Sequence, residues 1–557
     1  MIPKQTVSAA LVAAARTSHG IIAIEHDGRS RSMSYAELLT HALLIGGALL
    51  AEGLVTDDRV ALVAPEVSSF VTAFFAISAA GLLPVPLVPP AQAGDVPTFA
   101  RQTRQLLAAS RASAVVTTAE VAAFLDLRDL NPAPRVLIID TILRGPALEA
   151  PASPSLDQPA LLQFTSGSTA APKGVVLTHA NLHANIAAIS GPHGLNVGPS
   201  DVGVSWLPLY HDMGLIGVLL VAAYNQANVV IMSPGFFLKR PTVWLEALSQ
   251  YRGTISFAPN FAYELCLRRV KPSQIGLLDL SRWRVAGCGA EPLRADTLRA
   301  FGERFAQAGF KASSLMPSYG LAEHSLAVSF CHQGLKVDSL DPGRLVRESR
   351  AVPIADRRTS SVRLVSCGRP FPEHDLKIVD EDGRRLPDRY VGRIVVRGPS
   401  VMAGYFEDPV ATADTLRNGW LHTGDLGYLA DGELFVCGRT KDLIIRHGRK
   451  YHPPDLESAI ADLRGIRPAG VVVFGINRPD EADEVVAVLE ARASMTTEDI
   501  IDHVRRRVRE TAGLELDRVI IAPPGTIPHT TSGKVRRAET RARFEAGTLL
   551  TGGESIN

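Results

Sequence analysis

The sequence contains few cysteines, only 5 in 557 residues. They lie far apart, and no pair has the spacing of metal ligands. Disulfide frameworks are typical of much smaller secreted domains, so we predict reduced thiols that are mostly buried. No secretory signal is evident, because an Ala-rich run near the start indicates an ordinary helix. Together these features predict a cytoplasmic protein.

An excess of charge of either sign is also missing, because 58 Lys and Arg residues balance 57 Asp and Glu residues. A net charge of +1 gives no reason to expect a nucleic-acid partner or an anionic membrane surface. Long apolar runs are lacking too, since the most apolar stretch, residues 70–90, contains Pro84, Pro86 and Pro89. We therefore predict a buried helix and strand there, and no transmembrane segment.

What the sequence does have is a globular composition, with 46% hydrophobic and 21% charged residues. The chain is too long for one core, so we expect two or more domains. Up to about Val328, strand-like runs alternate with helical patterns, which predicts parallel sheets covered by helices. Later, short strands separated by Gly, Pro and Asp turns indicate a small distorted barrel. After Lys441 two strands precede a helix with an apolar stripe formed by Ile500, Ile501, Val504 and Val508.

These changes of pattern predict an α/β protein with two unequal domains. The large N-terminal domain, 1–437, would hold two α/β sheet subdomains and the distorted barrel. A hinge at 438–442 would lead to a small α+β C-terminal domain, 443–557. The polar segment at about 334–366 is long for a connection inside a compact region, so we interpret it as an insertion or a mobile segment.

The most informative motif is residues 162–174, with the sequence LQFTSGSTAAPKG. Two glycines, four hydroxyl side chains and one lysine lie between two strand-like runs. Backbone N–H groups, hydroxyls and an ammonium can together bind phosphate oxygens. The motif is not a Walker A loop, because Pro172 precedes the lysine and a strand follows. In isolation, it could equally be a Ser/Thr-rich surface loop.

Seven further motifs accompany this loop, and each is weak alone. A lone histidine among apolar residues is more often a core residue, and a lysine in a loop is usually solvated. Residues 215–220 and 236–238 are apolar enough to line a tunnel, but apolar walls also describe any core. The seven motifs are WLPLYHDMG (206–214), APNFAY (258–263), GCGAEP (287–292), SYGLAE (318–323), WLHTGD (420–425), GRTKD (438–442) and TTSGKVRR (530–537).

In this order and spacing the motifs closely resemble the adenylate-forming superfamily of acyl-CoA synthetases, peptide-synthetase adenylation domains and luciferases. The resemblance covers nearly the whole chain. It is closest to the fatty acyl-AMP ligases, on the run 206–217, the hinge region 438–457 and the insertion. Two features depart from that subfamily: Lys173 before Gly174 is common in acyl-CoA synthetases, and residues 446–448 read RHG instead of an apolar-Arg-Gly run.

The resemblance implies activation of a fatty acid with ATP to an acyl-adenylate, with Mg²⁺ as cofactor and pyrophosphate as the leaving product. The acyl group would then pass to the phosphopantetheine thiol of an acyl carrier protein in polyketide, lipopeptide or lipid biosynthesis. Lys534, His211 and Glu323 would be catalytic, with Glu323 and Thr169 at the metal and Lys441 as the hinge residue. ATP or its AMP product would contact Thr165, Ser166, Gly167, Ser168, Thr169, Lys173, Gly289, Ala290, Glu291, Ser318, Tyr319, Gly320, Asp425 and Arg439.

Two other functions remain open at this point. A long- or medium-chain fatty acyl-CoA ligase would share the first half-reaction and differ only in the acceptor. A non-catalytic adenylate-binding protein would be marked by the loss of Lys534, Glu323 or Asp425, and all three are present.

Overall fold

A computed structural model describes most of the chain, including every element named below. The described residues are 2–90, 96–142, 145–165, 172–354, 361–446, 449–461, 463, 465–476, 484–491, 496–529 and 535–549, with 98, 468 and 469 described by their backbone alone.

The first part of the chain forms a parallel four-stranded sheet and a hairpin. The longest helix here begins at a capping box, in which Ser34 accepts the Glu37 N–H and Glu37 accepts the Ser34 N–H. The sheet has the order β4-β3-β5-β6. The elements are α1 (Val7–Ala14), β1 (Gly20–Ile24), β2 (Ser30–Ser34), α2 (Tyr35–Ala51), β3 (Arg59–Val63), α3 (Val67–Ala79), β4 (Leu83–Pro86), α4 (Val96–Ser110), β5 (Ala114–Thr117), α5 (Ala119–Ala122) and β6 (Arg135–Ile138).

The next part alternates strands and helices, as the sequence predicts. One helix is interrupted by a π-helical segment at Leu215–Leu220, a feature that is frequent at functional sites. The elements are β7 (Pro159–Phe164), β8 (Gly174–Thr178), α6 (His179–Ser190), β9 (Val202–Ser205), α7 (Asp212–Gly214), α8 (Val221–Tyr224), β10 (Asn228–Met232), α9 (Pro234–Lys239), α10 (Thr242–Gln250), β11 (Ile255–Ala258), α11 (Asn260–Arg269), α12 (Pro272–Ile275), β12 (Val285–Cys288), α13 (Ala295–Phe305), β13 (Leu315–Gly320) and β14 (Ala327–Phe330).

Eight strands form a large sheet in the order β14-β13-β12-β11-β9-β10-β1-β2, in which the β13–β14 and β1–β2 pairs are antiparallel and the pairs between them are parallel. Four adjacent parallel strands, β9, β11, β12 and β13, therefore end at the same edge. Motif residues follow the carboxyl end of each of them or, on β13, include its last residues. That edge is where open α/β sheets bind ligands.

After β14 the chain forms a small antiparallel sheet, β18-β19-β22-β21, with β23 paired to β22. The short strand β17 extends the large sheet beside β14. The predicted insertion holds a β15–β16 pair and helix α14 in its described part. The elements are β15 (Val337–Leu340), α14 (Pro342–Glu348), β16 (Val362–Val365), β17 (Arg369–Pro370), β18 (Asp375–Val379), β19 (Gly392–Arg397), β20 (Gly404–Tyr405), α15 (Pro409–Thr415), β21 (Leu416–Arg417), β22 (Trp420–Ala430) and β23 (Glu433–Arg439).

The last part has its own sheet, β26-β27-β28, and its own hydrophobic core. Ile500, Val504 and Val508 of the predicted stripe are buried in that core, whereas Ile501 is only half-buried and does not belong to it. Val346 of the insertion helix also packs against this core. The elements are β24 (Ile444–Arg446), β25 (Arg449–Tyr451), α16 (Pro453–Ala461), β26 (Ile466–Ile476), β27 (Glu484–Ala491), α17 (Thr497–Ala512), β28 (Arg518–Ala522) and α18 (Arg537–Glu545).

The observed architecture confirms the predicted α/β class, with a large N-terminal part and a small α+β C-terminal part. All five cysteines are buried and unpaired, as expected. Among the residues that the structure describes, no helix is both long and apolar enough to cross a membrane.

Candidate active site

The described ends of the Ser/Thr-rich loop form the neck of the β7–β8 hairpin. The Thr165 N–H donates to the Lys173 carbonyl at 3.1 Å, so the two ends are held together. Lys173 is half-buried, and its ammonium lies 4.9 Å from the centre of the Tyr405 ring. The predicted phosphate ligands Ser166, Gly167, Ser168 and Thr169 lie outside the described residues, as does Lys534.

Tyr405 connects this loop to Glu323. Its hydroxyl donates a hydrogen bond of 2.8 Å to the Glu323 carboxylate, while its ring faces Lys173. Burial, followed by the charge of Glu323, raises the pKa of Tyr405, so the phenol remains a donor at neutral pH. Sequence reasoning did not identify Tyr405, because it lies on the two-residue strand β20 and resembles no motif. Its pairing with β8, directly after Lys173, is a tertiary feature.

A second cluster contains Tyr319, Asp425 and Arg439. The Tyr319 hydroxyl donates to Asp425 at 2.7 Å, and Arg439 Nε lies 3.3 Å from the same carboxylate. Asp425 and Arg439 are register partners on β22 and β23, which explains why two motifs far apart in sequence meet here. Burial and the Asp425 charge raise the pKa of Tyr319 well above its usual value, so this phenol also remains a donor.

The end of β13 brings the two clusters together. Tyr319 is the second-last residue of the strand, and Glu323 lies in the 3-10 turn that follows it. One short segment thus carries the hydroxyl that contacts Asp425 and the carboxylate that contacts Tyr405. The neighbouring Gly320 admits no side chain, because an added Cβ would lie 2.1 Å from the Leu326 carbonyl oxygen.

The GCGAEP motif forms the turn after β12. An added Cβ on Gly289 would lie 2.4 Å from Ser318 Oγ and 3.0 Å from the Ser318 carbonyl oxygen, so a side chain there would force Ser318 to move. Ser318 in turn donates to the Cys288 carbonyl at 3.2 Å. Ala290 has a φ of +70°, which is unusual for a residue with a side chain. The Glu291 carboxylate accepts the Phe261 N–H at 2.6 Å, near the start of α11, so it helps to join the motif to its neighbour.

His211 lies beside the loop and at the start of the interrupted helix. The Gln163 amide on β7 donates to the Tyr210 carbonyl at 3.0 Å, which joins the loop strand to the His211 run. His211 Nδ1 contacts the Asp212 carboxylate, and the imidazole is largely buried. Gly214 is required by close packing, since an added Cβ would lie 2.2 Å from the Pro208 carbonyl oxygen.

A narrow cavity of about 40 Å³ lies between the π-helical segment and strands β9, β10 and β11. Its walls are mostly apolar. Gly217 and Val218 belong to it, whereas Phe237 does not, because its ring stacks on Trp206 at 4.1 Å within the core. The lining residues are Leu195, Val197, Asp201, Gly203, Val204, Gly217, Val218, Val221, Ala222, Ala227, Asn228, Val229, Ile255, Ser256 and Phe257.

Lys441 lies in the 3-10 turn Thr440–Asp442 that follows β23. Partial burial, followed by the positive charge of Arg439, lowers the pKa of its ammonium. Within the described residues, no group of three or more His, Cys, Asp and Glu side chains is arranged to hold a metal ion. A single carboxylate such as Glu323 still suits Mg²⁺, which keeps water and phosphate oxygens as its other ligands.

Comparison with known proteins gives consistent matches over most of the chain. Residues 11–406 match the family model described as AMP-binding enzyme. A putative acyl-CoA synthetase of Caulobacter vibrioides is 38% identical over 525 residues, covering 93% of this chain and 91% of the relative. The long-chain-fatty-acid–AMP ligase FadD26 of Mycobacterium tuberculosis is 34% identical over 549 residues, covering 93% of this chain and 92% of the relative.

Two solved structures extend the comparison. A chain from studies of fatty acyl-adenylate ligases from E. coli and L. pneumophila superposes with a TM-score of 0.92 at 38% identity, over 98% of this chain and 99% of that one. The fatty acyl-adenylate ligase from L. pneumophila in complex with acyl adenylate and pyrophosphate has a TM-score of 0.74 at 30% identity, over 97% and 96% of the two chains.

Proposed function

Because the chain belongs to the family of AMP-binding, adenylate-forming enzymes, we propose that it activates fatty acids with ATP. A carboxylate oxygen of the acid attacks the α-phosphorus, and the bond between that phosphorus and the β-phosphate oxygen breaks. The products are acyl-adenylate and pyrophosphate. The observation that carries this proposal is the end of β13, which joins the Tyr319–Asp425 pair to the Glu323–Tyr405 pair.

The chemistry requires two anions to approach each other, so positioning and charge neutralisation dominate. Lys173 and the loop from Thr165 to Thr169 would hold the terminal phosphates, and Mg²⁺ on Glu323 and Thr169 would neutralise part of their charge. Lys534 would bridge the attacking carboxylate and the α-phosphate. This contact strengthens as the transition state forms, so it raises kcat more than it lowers KM.

The nucleoside would be held by the other cluster. Asp425 would accept the ribose hydroxyls, with Arg439 beside it, and Tyr319 would stack on adenine. The turn with Gly289, Ala290 and Glu291, together with Ser318 and Gly320, would form the rest of that pocket. Both glycines let neighbouring residues pack closely at this pocket, since an added Cβ would meet Ser318 or Leu326.

The fatty acid would enter past His211 toward the apolar cavity, which at about 40 Å³ is much smaller than an acyl chain and would have to widen around it. The π-helical segment supports this placement, because it follows the His211 run directly and forms one wall of the cavity. Names of the relatives add support, since FadD26 is described as a long-chain-fatty-acid–AMP ligase.

We propose an acyl carrier protein as the acceptor, with hinge residues 438–442 between domains 1–437 and 443–557. The supporting observation is the insertion helix α14, which contacts β25 and α17 of the C-terminal part. Val346 buries its side chain against the same core. Such packing would restrain rotation about Lys441 and thereby disfavour CoA. The competing acceptor, CoA itself, is favoured by Lys173 and by the relative described as a putative acyl-CoA synthetase.

The direct test is incubation with ATP, Mg²⁺ and a panel of fatty acids, with pyrophosphate release and acyl-adenylate followed by mass spectrometry. Glu323→Gln should lose activity, whereas Glu381→Gln, whose side chain is 80% exposed on a loop, should not. If the rate of pyrophosphate release stays at the background level with every acid, the proposal is wrong. Adding CoA or a holo carrier protein then separates the acceptors, and robust acyl-CoA formation would refute the carrier-protein assignment.

A further inference from the structure

A buried ion cluster connects the predicted hinge with two segments of the C-terminal part. Arg537, at the start of α18, donates from Nη1 to Asp442 at 2.6 Å. Its Nη2 donates to both Glu457 oxygens at 2.9 Å, and its Nε donates to one of them at 3.2 Å. The side chains are 17–18% exposed, so this is a largely desolvated cluster. We refer to Arg537, Asp442 and Glu457 as the hinge anchor.

Each member of the hinge anchor belongs to a different functional segment. Asp442 ends the 3-10 turn that contains the predicted hinge residue Lys441. Glu457 lies on α16 and accepts the Val473 N–H at 2.9 Å, which ties the anchor to strand β26. Arg537 lies three residues after Lys534 in the sequence.

The hinge anchor differs from an ordinary surface ion pair in its burial and in its forked hydrogen bonding. Buried charges are costly unless they are paired with good geometry, and a guanidinium gives a planar fork that two carboxylates can share. The other arginines of α18 are different. Arg543, for example, pairs with Glu539 on the helix surface, where such pairs contribute little. Its buried, forked pairing therefore distinguishes Arg537 from the surface arginines of the same helix.

We propose that Arg537 is a positioning residue for adenylation, acting through Lys534. The hinge anchor fixes Arg537, at the end of the Lys534 segment, to Asp442, which follows the predicted hinge residue Lys441. The Lys534 segment and Asp442 would therefore move as one body when the C-terminal part rotates. Arg537 itself touches neither ATP nor the acid. The inference rests on the proposed function, because it assigns Lys534 to the transition state.

The test uses Arg537→Lys, which keeps the charge and removes the fork, with Arg543→Lys on the same helix as the matched control. We expect kcat for pyrophosphate release to fall roughly 10- to 100-fold in Arg537→Lys, since misplacing a catalytic group by about 1 Å costs up to about 10². KM for ATP should stay within about twofold, because Lys534 contributes mainly in the transition state. Arg543→Lys should match the wild type.

A purely structural role is distinguished by a double-mutant experiment. Lys534→Ala should lower the rate roughly 10²- to 10³-fold and leave a residual rate. If Arg537 acts through Lys534, then adding Arg537→Lys to Lys534→Ala should lower that residual rate no further. A further loss of the same size as in the wild-type background would overturn the proposal, as would an unchanged kcat in Arg537→Lys alone.

Hydrogen exchange of the full chain gives a readout that does not depend on activity. Amides of the segment 526–536 should exchange faster in Arg537→Lys than in Arg543→Lys, and unchanged exchange would contradict the anchor. If Arg537→Lys fails to fold, Asp442→Asn removes one carboxylate charge at the same volume and should give the same pattern. If the wild-type enzyme is inactive with every acid, the proposed function is wrong. If the exchange difference between Arg537→Lys and Arg543→Lys is still present in that case, the structural link between Arg537 and the Lys534 segment is supported on its own.

Discussion

Replacing Tyr319 with phenylalanine removes one hydroxyl and leaves the aromatic ring in place. That hydroxyl donates to Asp425 at 2.7 Å, and the two residues are 9% and 8% exposed. A hydrogen bond to a charged group contributes about 1.5–3 kcal/mol, equivalent to roughly 10- to 150-fold in an equilibrium constant. The bond is present before ATP binds, so only the part of this energy that orients Asp425 toward ATP appears in KM. We therefore expect KM for ATP to rise by at most that factor.

The expected effect falls mainly on KM. Asp425 is proposed to contact the ribose, which remains bound in the ground state and in the transition state. An interaction that is equal in both states changes KM and leaves kcat nearly constant. The assay is initial-rate pyrophosphate release with ATP as the varied substrate and a saturating fatty acid.

The chain offers a close control for this variant. Tyr428 is fully buried on the same strand as Asp425, and its hydroxyl donates to Asp338 at 2.9 Å. Tyr428→Phe removes the same kind of hydrogen bond away from the proposed nucleotide site, so it should lower thermal stability and leave KM for ATP unchanged. An unaltered KM in Tyr319→Phe, or an equal rise in both variants, would refute the role given to the Tyr319–Asp425 pair.

Three further outcomes are expected. Tyr405→Phe removes the donor to Glu323 and keeps the ring, so kcat/KM at limiting Mg²⁺ should fall roughly tenfold, about 1.5 kcal/mol; equal rates at all Mg²⁺ concentrations would contradict this. Gly203→Val adds a side chain to the cavity wall, where a Cβ lies 3.3 Å from Val229. Excluding two methylene groups costs about 1.6 kcal/mol, so the rate with long acids relative to short ones should fall roughly 15-fold, and an unchanged ratio would exclude the cavity as the acyl site. Burial and then the charge of Glu457 raise the pKa of Asp455 to about 7, so its contribution to folding stability is complete below about pH 4 and is lost as the pH rises through 7. Asp455→Asn should therefore be more stable, relative to wild type, at pH 8 than at pH 5 in urea unfolding, and a pH-independent difference would show that Asp455 does not titrate in this range.

The fold class could be predicted from local signals, since strand-like runs and helical patterns alternate along the chain. The chemistry of the first half-reaction followed from the resemblance of the motifs to those of adenylate-forming enzymes. The pairing of Asp425 with Arg439 shows what such signals leave out. Each residue lies in its own motif, but their contact depends on the register of β22 with β23.

Tyr405 is a clearer example of a site residue that sequence patterns do not identify. It is 82 residues from Glu323 in sequence and belongs to a strand of two residues, so neither periodicity nor spacing identifies it. The cavity wall is a related case. Residues 215–220 and 236–238 were equally apolar in sequence, yet Gly217 and Val218 line the cavity while Phe237 stacks on Trp206. Apolar character predicts burial, but only packing decides between core and cavity.

The contact between Asp442 and Arg537 also limits where a crossover can be placed in a chimera of this chain with a relative. The C-terminal part has its own core, which makes it a natural unit of exchange. With a crossover after residue 442, the Asp442 carboxylate would come from one parent protein and the residue at position 537 from the other. A crossover before Lys441 transfers both together with Glu457, so the exchanged unit keeps the contact that is proposed to link the predicted hinge residue with the Lys534 segment.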